Sequence, residues 1–248
     1  MKRALLFFSN TINAEAVRKK ILPDAGKQRD LFGLLIEKSL KEIIKASEKI
    51  QFDIIISSEN NFSSGPQFPQ NNNPGIKFIS QPGKTFGERF LNNINDIHKS
   101  GYNEFVIIGN DSPDLSAELI ITAFEKLRES DTVIGPSTDG GFYLFGSNKF
   151  DADVFKNIPW LSSDVLFILK YNIEKLGLTY NLLTLLTDID SHSDLINWMR
   201  TVNCDPAFAK LVYLVVFVNL KHVYYYEQHH IIKPQLLPQN WQIPPPLD

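Results

Sequence analysis

The stretch from Phe105 to Gly146 reads FVIIGNDSPDLSAELIITAFEKLRESDTVIGPSTDGGFYLFG and carries the clearest signals of fold and function in the chain. One apolar run ends at the turn Gly109–Asp114, a helix-like segment follows, and a second apolar run ends shortly before Asp139. In open α/β sheets, ligands bind at the carboxyl ends of the strands. If the two runs are neighbours in one sheet, Asp111 and Asp139 lie near one edge of it. We therefore predict a metal-assisted site there for a nucleotide or nucleotide sugar.

Length and charge limit the classes of protein that this chain can represent. The 248 residues suffice for one large α/β domain or for a domain with an appendage. The net charge of −3 disfavours a nucleic-acid binder, which usually presents a basic face, but it permits a small anionic ligand. The apolar runs Ala4–Phe8 and Leu211–Leu220 are too short for a signal peptide and a membrane span, respectively. We expect a cytoplasmic protein without a membrane span.

Apolar runs of strand length alternate with segments of helical spacing. We predict strands over residues 3–8, 52–57, 76–80, 104–109, 132–136, 142–145 and 179–186, helices over 31–50, from about 87 to 99, 117–129, 162–176 and from about 191 to 202, and loops over 9–20 and 59–75. This alternation indicates a layered α/β fold with a largely parallel sheet. From residue 204 onward prolines and aromatic residues replace the alternation. We therefore assign a main domain to residues 1–203 and an appendage to residues 204–248, where an apolar segment is a candidate contact for a homodimer.

Asp111 is the first candidate for metal binding and catalysis. A carboxylate just past a buried strand costs desolvation energy unless it is paired or binds a cation. Mg²⁺ and Mn²⁺ suit hard oxygen ligands, and Mg²⁺ is usually held by one or two carboxylates together with substrate phosphates. The alternative role for Asp111 is to accept backbone N–H groups within its Ser-Pro turn, as turn aspartates commonly do.

The run Asp139-Gly140-Gly141 is the second candidate. Asp-Gly is a favoured hairpin dipeptide, so a purely structural turn explains part of this signal. Two consecutive glycines also allow a ligand to approach the backbone closely, which a hairpin does not need. Asp139 would then orient an acceptor or act as its base.

Two further carboxylates, Asp188 and Asp190, share one face if the chain is extended there. A divalent cation would relieve the repulsion between them, and so would solvent. Asp190 or Ser191 is also a candidate cap for the helix that follows. The sequence leaves open which of the two acids serves the site.

Basic residues near predicted strand ends are candidate partners for phosphate. Arg18 and Lys19 lie at the end of the first loop. Arg89 follows Gly87 at the predicted start of a helix, and helix N-termini favour anions. The sequence contains no GxSxG elbow and no P-loop, which disfavours a serine hydrolase or a P-loop ATPase.

Two longer motifs resemble a bacterial family of glycosyltransferase-like proteins, the DUF2064 group. The match rests on Gly109-Asn110-Asp111-Ser112-Pro113-Asp114-Leu115 and on Gly135 through Leu144, with support from Gln81, Gly87-Glu88-Arg89, Pro159-Trp160, Ser162 through Leu166, and Asp188-Ile189-Asp190. It covers about residues 3–202. The first two motifs are specific in this order and spacing, whereas each of the others alone is weak.

The resemblance implies a Rossmann-like, three-layer α/β/α fold of the GT-A, or nucleotide-diphospho-sugar transferase, type. It places Asp111 at the position of the metal-binding DxD acid of GT-A enzymes. The third residue of a strict DxD is Pro113 here, so Asp188 or Asp190 is implied as the second ligand of a Mg²⁺ or Mn²⁺ ion. The resemblance also implies nucleotide or phosphate contacts at nine positions, namely Ser9, Asn10, Arg18, Lys19, Gln81, Gly87, Arg89, Gly140 and Gly141.

The first loop departs from the family pattern, because no glycine occurs between Phe8 and Ala25. Three hypotheses follow. The first is a metal-dependent glycosyltransferase that uses a nucleotide-diphospho-sugar donor and a small-molecule acceptor. The second is a nucleotidyltransferase that releases pyrophosphate. The third is a nucleotide-binding relative without catalysis, which the glycine-free loop motivates.

Overall fold

The computed structural model describes residues 2–59, 76–201 and 205–218, so the expected loop beyond residue 59 and the tail beyond residue 218 lie outside the described residues. The strands are β1 Arg3–Phe8, β2 Asp53–Ser58, β3 Ile76–Ser80, β4 Glu104–Ile108, β5 Thr132–Pro136, β6 Phe142–Ser147 and β7 Tyr180–Leu182. The helices are α1 Ile12–Arg18, α2 Ala25–Lys49, α3 Phe86–Lys99, α4 Ala117–Lys126, α5 Val165–Lys175, α6 His192–Met199 and α7 Pro206–Tyr213. A 3₁₀ turn spans Ala152–Phe155, and α7 continues into a π-helical turn at Leu214–Val218.

The strands form one sheet in the order β3-β2-β1-β4-β6-β5-β7. All neighbouring pairs are parallel except those that include β6, which runs antiparallel to both β4 and β5. Six strands therefore point the same way and end at one edge of the sheet. The predicted α/β class with a mostly parallel sheet is confirmed.

The inner strands are buried on both faces because helices cover the sheet on both sides, whereas the edge strands β3 and β7 are partly exposed. One face packs against α3 and α5, through residues such as Phe90, Ile94 and Leu169. On the other face, the ring of Phe124 in α4 stacks on Phe52 with centroids 5.2 Å apart. This gives the three-layer arrangement that the alternation of apolar runs indicates.

Helix starts follow the expected capping chemistry. Ser116 caps α4 by accepting a hydrogen bond from Leu119 N, and Ser191 caps α6 by accepting one from Asp194 N. Thr85 and Glu88 form a reciprocal capping box at the start of α3. The predicted cap at Ser116 is confirmed, and of the two candidates before α6 the structure selects Ser191.

Three elements differ from the sequence prediction. The first loop contains α1, because the stretch Ile12–Arg18 is rich in helix-forming residues and has no glycine or proline. Helix α2 begins at Ala25 rather than Leu31, since Asp24 Oδ1 accepts a hydrogen bond from Lys27 N at 2.8 Å. Strand β7 ends at Leu182, and only a single bridge joins Leu186 to Ser137 farther along.

The chain divides into two compact units. One comprises Met1–Thr11 and Ile36–Asp188 and contains the sheet. The other comprises Ile12–Leu35 and Ile189–Asp248, and its described helices include α1, α6 and α7. No helix among the described residues is long and apolar enough to cross a membrane. A boundary at residues 203/204 and a dimer contact through the tail remain predictions.

Candidate active site

Three carboxylates follow three strands that end at the same edge of the sheet. Asp111 lies three residues beyond β4, and Asp139 lies in the turn between β5 and β6. Asp188 follows β7, after a segment in which Leu186 N donates to Pro136 O at 3.1 Å. Because β4, β5 and β7 share one direction, their carboxyl ends meet at this edge. The sheet therefore brings together acids that are far apart in the chain.

Asp188 is the centre of this carboxylate cluster. Burial raises the pKa of Asp188 from 3.8 to about 7, and the negative charges of Asp111 and Asp139 add to the rise. The hydrogen bond from the Ser112 hydroxyl acts in the opposite direction and lowers that pKa. All the groups that shift this pKa most are carboxylates or hydroxyls, and no cation of the described residues is among them. The cluster therefore holds negative charge that a cation would stabilise.

Short local hydrogen bonds orient the other two acids. Asp111 Oδ1 accepts the N–H of Asn110 at 2.9 Å. Asp139 Oδ1 accepts the N–H of Gly141 at 2.9 Å and a hydrogen bond from the Ser137 hydroxyl. Each carboxylate is thus partly used within its own turn, as the structural alternative proposed, while its charge still acts on Asp188.

Tyr143 forms a buried wall of the cluster. Its hydroxyl donates to Thr184 O at 3.0 Å, and the residue as a whole is 4% exposed. Burial, and secondarily the charge of Asp188, raises the pKa of Tyr143 above its usual value. The phenol therefore stays neutral beside the carboxylates.

The turn that carries Asp139 is packed against the start of α5. Gly140 has φ +90°, and a Cβ added there would lie 2.1 Å from Ser163 O. The Gly140 carbonyl also accepts Leu166 N at 2.9 Å. Gly140 is thus required for the close approach of two backbones, which places Asp139 at the cluster.

We expect Gly140→Ala to lower the free energy of unfolding by roughly 3 kcal/mol, because it combines a left-handed backbone with a steric clash. Urea denaturation measures this change. Gly101→Ala is the matched control, since Gly101 has φ +82° but no atom lies within 4 Å of its added Cβ. It should cost only about 1 kcal/mol. Equal losses in the two variants would show that the contact with Ser163 is unimportant.

A second polar cluster lies at the ends of β1, β2 and β3. Gln81 Nε2 donates to Ser9 O at 3.1 Å and to Ser57 O at 3.0 Å. Asn10 Nδ2 donates to Glu59 Oε1 at 3.2 Å, and Glu59 N donates to Asn10 Oδ1 at 3.1 Å. The Ser9, Asn10 and Gln81 positions implied for nucleotide binding are therefore brought together by the structure.

Arg89 joins this cluster through Glu59. Its Nη2 lies 3.1 Å from Glu59 Oε1, and its side chain is only 13% exposed. The carboxylate offsets the positive charge of the guanidinium. A contact between Arg89 and phosphate remains a prediction, and the positive charge of Arg89 is already paired with Glu59.

The remaining predicted phosphate and metal residues also have partners nearby. Arg18 Nη2 lies 3.2 Å from a carboxylate oxygen of the buried Glu15. Lys19 Nζ lies 2.6 Å from Asp190 Oδ1. Of the two acids Asp188 and Asp190, the first therefore belongs to the carboxylate cluster and the second forms an ion pair with a lysine.

Gly87 has a packing function in the first turn of α3. A Cβ added to it would lie 2.3 Å from Trp160 Nε1, so the missing side chain makes room for the indole. A role of Gly87 in nucleotide binding remains a prediction.

The carboxylate cluster fits a hard cation that takes part of its coordination from the ligand. Within the described ranges, no group of three or more His, Cys, Asp or Glu side chains is arranged to hold a metal ion by itself. Two carboxylates together with phosphate oxygens are the usual environment of Mg²⁺. The raised pKa of Asp188 indicates that a nearby positive charge would stabilise its ionised form. Asp111 and Asp188 are therefore suitable as protein ligands.

Sequence reasoning missed Ser112, Ser137 and Glu59 as members of the two clusters. The first two lie within the motifs that drew attention to the acids, so their polar groups at strand ends were an available signal. Glu59 directly follows β2, and the composition of that strand indicates no function. Only its contacts with Asn10 and Arg89 reveal it.

Comparisons with known proteins agree with this fold. Residues 44–162 match the DUF2064 family, described as an uncharacterized protein conserved in bacteria, and this confirms the resemblance over that stretch. No curated protein matches the chain.

Solved structures show the same architecture. A crystal structure from Desulfovibrio desulfuricans G20, provisionally assigned as a nucleotide-diphospho-sugar transferase, has a TM-score of 0.74 and 26% identity, over 88% of this chain and 96% of that one. The 4-diphosphocytidyl-2C-methyl-D-erythritol synthase of Anaerococcus prevotii DSM 20548 has a TM-score of 0.51 and 10% identity, over 79% of this chain and 94% of that one. The second likeness shows the fold alone. The fold is that of the nucleotide-diphospho-sugar transferases.

Proposed function

Since residues 44–162 match DUF2064 and the fold is that of the nucleotide-diphospho-sugar transferases, we propose that this protein is a metal-dependent glycosyltransferase. It transfers a sugar from a nucleotide-diphospho-sugar to a small-molecule acceptor. The observation that carries the proposal is that Asp111 and Asp139 lie close enough to the buried Asp188 for their negative charges to raise its pKa. Such a cluster suits a cation that is shared with a diphosphate.

In this proposal Asp111 and Asp188 hold Mg²⁺ or Mn²⁺. The cation, when bound, neutralises the charge that develops on the diphosphate leaving group. Ser112 donates to Asp188 and keeps the carboxylate in place. Ser9, Asn10 and Gln81, at the ends of β1 and β3, bind the nucleotide.

Asp139 is the candidate base for the acceptor. Its carboxylate is exposed and is oriented by Ser137 and Gly141 N. It accepts the proton of the acceptor hydroxyl as that oxygen bonds to the anomeric carbon. The bond from the anomeric carbon to the diphosphate oxygen breaks, and its electron pair leaves with the nucleoside diphosphate.

The first loop favours glycosyl transfer over nucleotidyl transfer. Residues 12–18 form α1, so this segment is not an extended glycine-rich loop that approaches a triphosphate with its backbone. Arg18 and Lys19 are engaged with Glu15 and Asp190, so their charges are largely compensated. A transferase that handles a diphosphate with a bound cation needs less positive charge from the loop.

The proposal is tested by incubating the protein with nucleotide-diphospho-sugars and a panel of small-molecule acceptors, with and without Mn²⁺. We expect metal-dependent release of a nucleoside diphosphate, and a rise in melting temperature of about 3 °C or more at saturating donor and metal. Release of pyrophosphate from nucleoside triphosphates would instead assign nucleotidyl transfer. Metal-dependent stabilisation without turnover across the panel would support a binding protein, and the absence of both would contradict the proposal.

A further inference from the structure

The amide of Gln81 is held in one orientation by two main-chain carbonyls. Its Nε2 donates to Ser9 O at 3.1 Å and to Ser57 O at 3.0 Å. Because a carbonyl oxygen only accepts, the amide NH₂ must face both carbonyls and Oε1 must point away from them. Gln81 is 6% exposed, and its Oε1 accepts no hydrogen bond from the described residues. A buried acceptor without a partner is costly, so this atom is suited to a ligand that supplies a donor.

An unpaired donor and a carboxylate lie in the same polar cluster. Arg89 Nε is buried and has no hydrogen-bond partner among the described residues. Its Nη2 is engaged by Glu59 Oε1, which also accepts from Asn10 Nδ2. The Glu59 side chain is 38% exposed, so its carboxylate has accepting capacity within reach of a ligand.

These groups are unsuited to phosphate. Gln81 Oε1 and the Glu59 carboxylate are acceptors and would repel phosphate oxygens, and Glu59 already offsets the charge of Arg89. A complementary ligand presents two donors, for Gln81 and Glu59, and one acceptor for Arg89 Nε. A planar heterocycle with hydrogen-bonding groups along one edge meets this requirement.

We propose that this cluster, at the ends of β1, β2 and β3, recognises the base of the nucleotide and selects guanine. The guanine Watson–Crick edge offers N1–H and the N2 amino group as neighbouring donors and O6 as an acceptor. Uracil and cytosine each offer one donor group between or beside acceptors, and adenine offers one donor group and one acceptor. Guanine alone satisfies Gln81, Glu59 and Arg89 together. The inference rests on the proposed function, which places a nucleotide at this edge of the sheet.

Isothermal titration calorimetry with GDP, IDP, UDP, CDP and ADP in the presence of Mn²⁺ tests this inference. We expect GDP to bind about 10-fold or more tightly than UDP, CDP or ADP, because each of these leaves one of the three protein groups unpaired. IDP lacks the N2 amino group, so it too offers a single donor and should bind as weakly as these three. Equal affinities, or a preference for another base, would overturn the selection of guanine and leave the proposed function standing. Failure of every nucleoside diphosphate to bind would instead contradict the proposed function.

Variants connect the preference to its residues. Glu59→Gln replaces an acceptor oxygen with a donor at nearly constant shape, and Arg89→Lys removes Nε. Each should reduce the ratio of GDP to UDP affinity about 10-fold. Asp96→Asn, on the exposed side of α3, is the control and should leave the ratio unchanged. An unchanged ratio in both Glu59→Gln and Arg89→Lys would show that the cluster does not read the base.

Discussion

Asp111→Asn should reduce the rate of sugar transfer about 100- to 1,000-fold while leaving the fold intact. The amide preserves the shape of the side chain and an oxygen that can accept from Asn110 N. It removes the negative charge that, with Asp188, would bind the divalent cation, and stabilisation of a leaving diphosphate by a cation is worth several kcal/mol. Steady-state assays at saturating Mn²⁺ and donor measure the loss.

Two comparisons make this result specific. Circular dichroism and urea denaturation show whether the variant remains folded. Asp96→Asn makes the same chemical change on an exposed part of α3 and should keep full activity. Full activity of Asp111→Asn would remove Asp111 from the catalytic centre, whatever the role of the other acids.

The second large effect is the pH dependence of stability that Asp188 causes. Its pKa is raised from 3.8 to about 7, so between these values the folded protein binds a proton that the unfolded chain releases. In the absence of metal, the stabilisation from this proton is complete below about pH 4 and is lost as the pH rises toward 7. Asp188→Asn has no such proton, and the amide oxygen can still accept from Ser112.

We therefore expect Asp188→Asn to gain stability relative to the wild type between pH 5 and pH 8, by about 2 kcal/mol after allowance for partial solvent screening. Urea denaturation at both pH values in the presence of a chelator measures the difference. Mn²⁺ should restore the wild type at pH 8, because the cation binds the ionised carboxylate, and should have little effect on the variant.

Asp96→Asn again provides the control, because it makes the same chemical change at an exposed position on α3. Parallel pH profiles for the wild type and Asp188→Asn would show that Asp188 holds no extra proton in the folded state. A response of the variant to Mn²⁺ equal to that of the wild type would place the metal elsewhere.

The larger features of the fold were accessible from sequence because they depend on local patterns. Runs such as Glu104–Ile108 and Thr132–Pro136 are apolar throughout, which is typical of strands covered on both faces. The caps at Ser116 and Ser191 depend on side chains three residues or fewer from their partners. The first loop was harder, because helix formation in α1 competes with loop formation through small differences in propensity.

Within the candidate site, sequence reasoning could select strand ends but could not choose among neighbours. Asp188 and Asp190 are two residues apart and equivalent in pattern, yet one is buried beside Asp111 and the other pairs with Lys19. The pairing of β5 with β6 shifts at Gly135/Pro136, and Leu186 then bridges to Ser137, which carries Asp188 toward Asp139. Such irregularities of pairing arise from long-range contacts and leave no periodic signal.

The sequence by itself determined the order of strands and helices and the placement of Asp111 and Asp139 after strands, since the spacing of apolar residues sets which segments can be buried. Tertiary structure alone decided the partners. Gln81 is oriented by carbonyls 72 and 24 residues away, and Ser112 reaches Asp188 across 76 residues. Burial and nearby charges set the pKa of Asp188, and distant carbonyls set the orientation of the Gln81 amide. These surroundings exist only once the sheet has assembled.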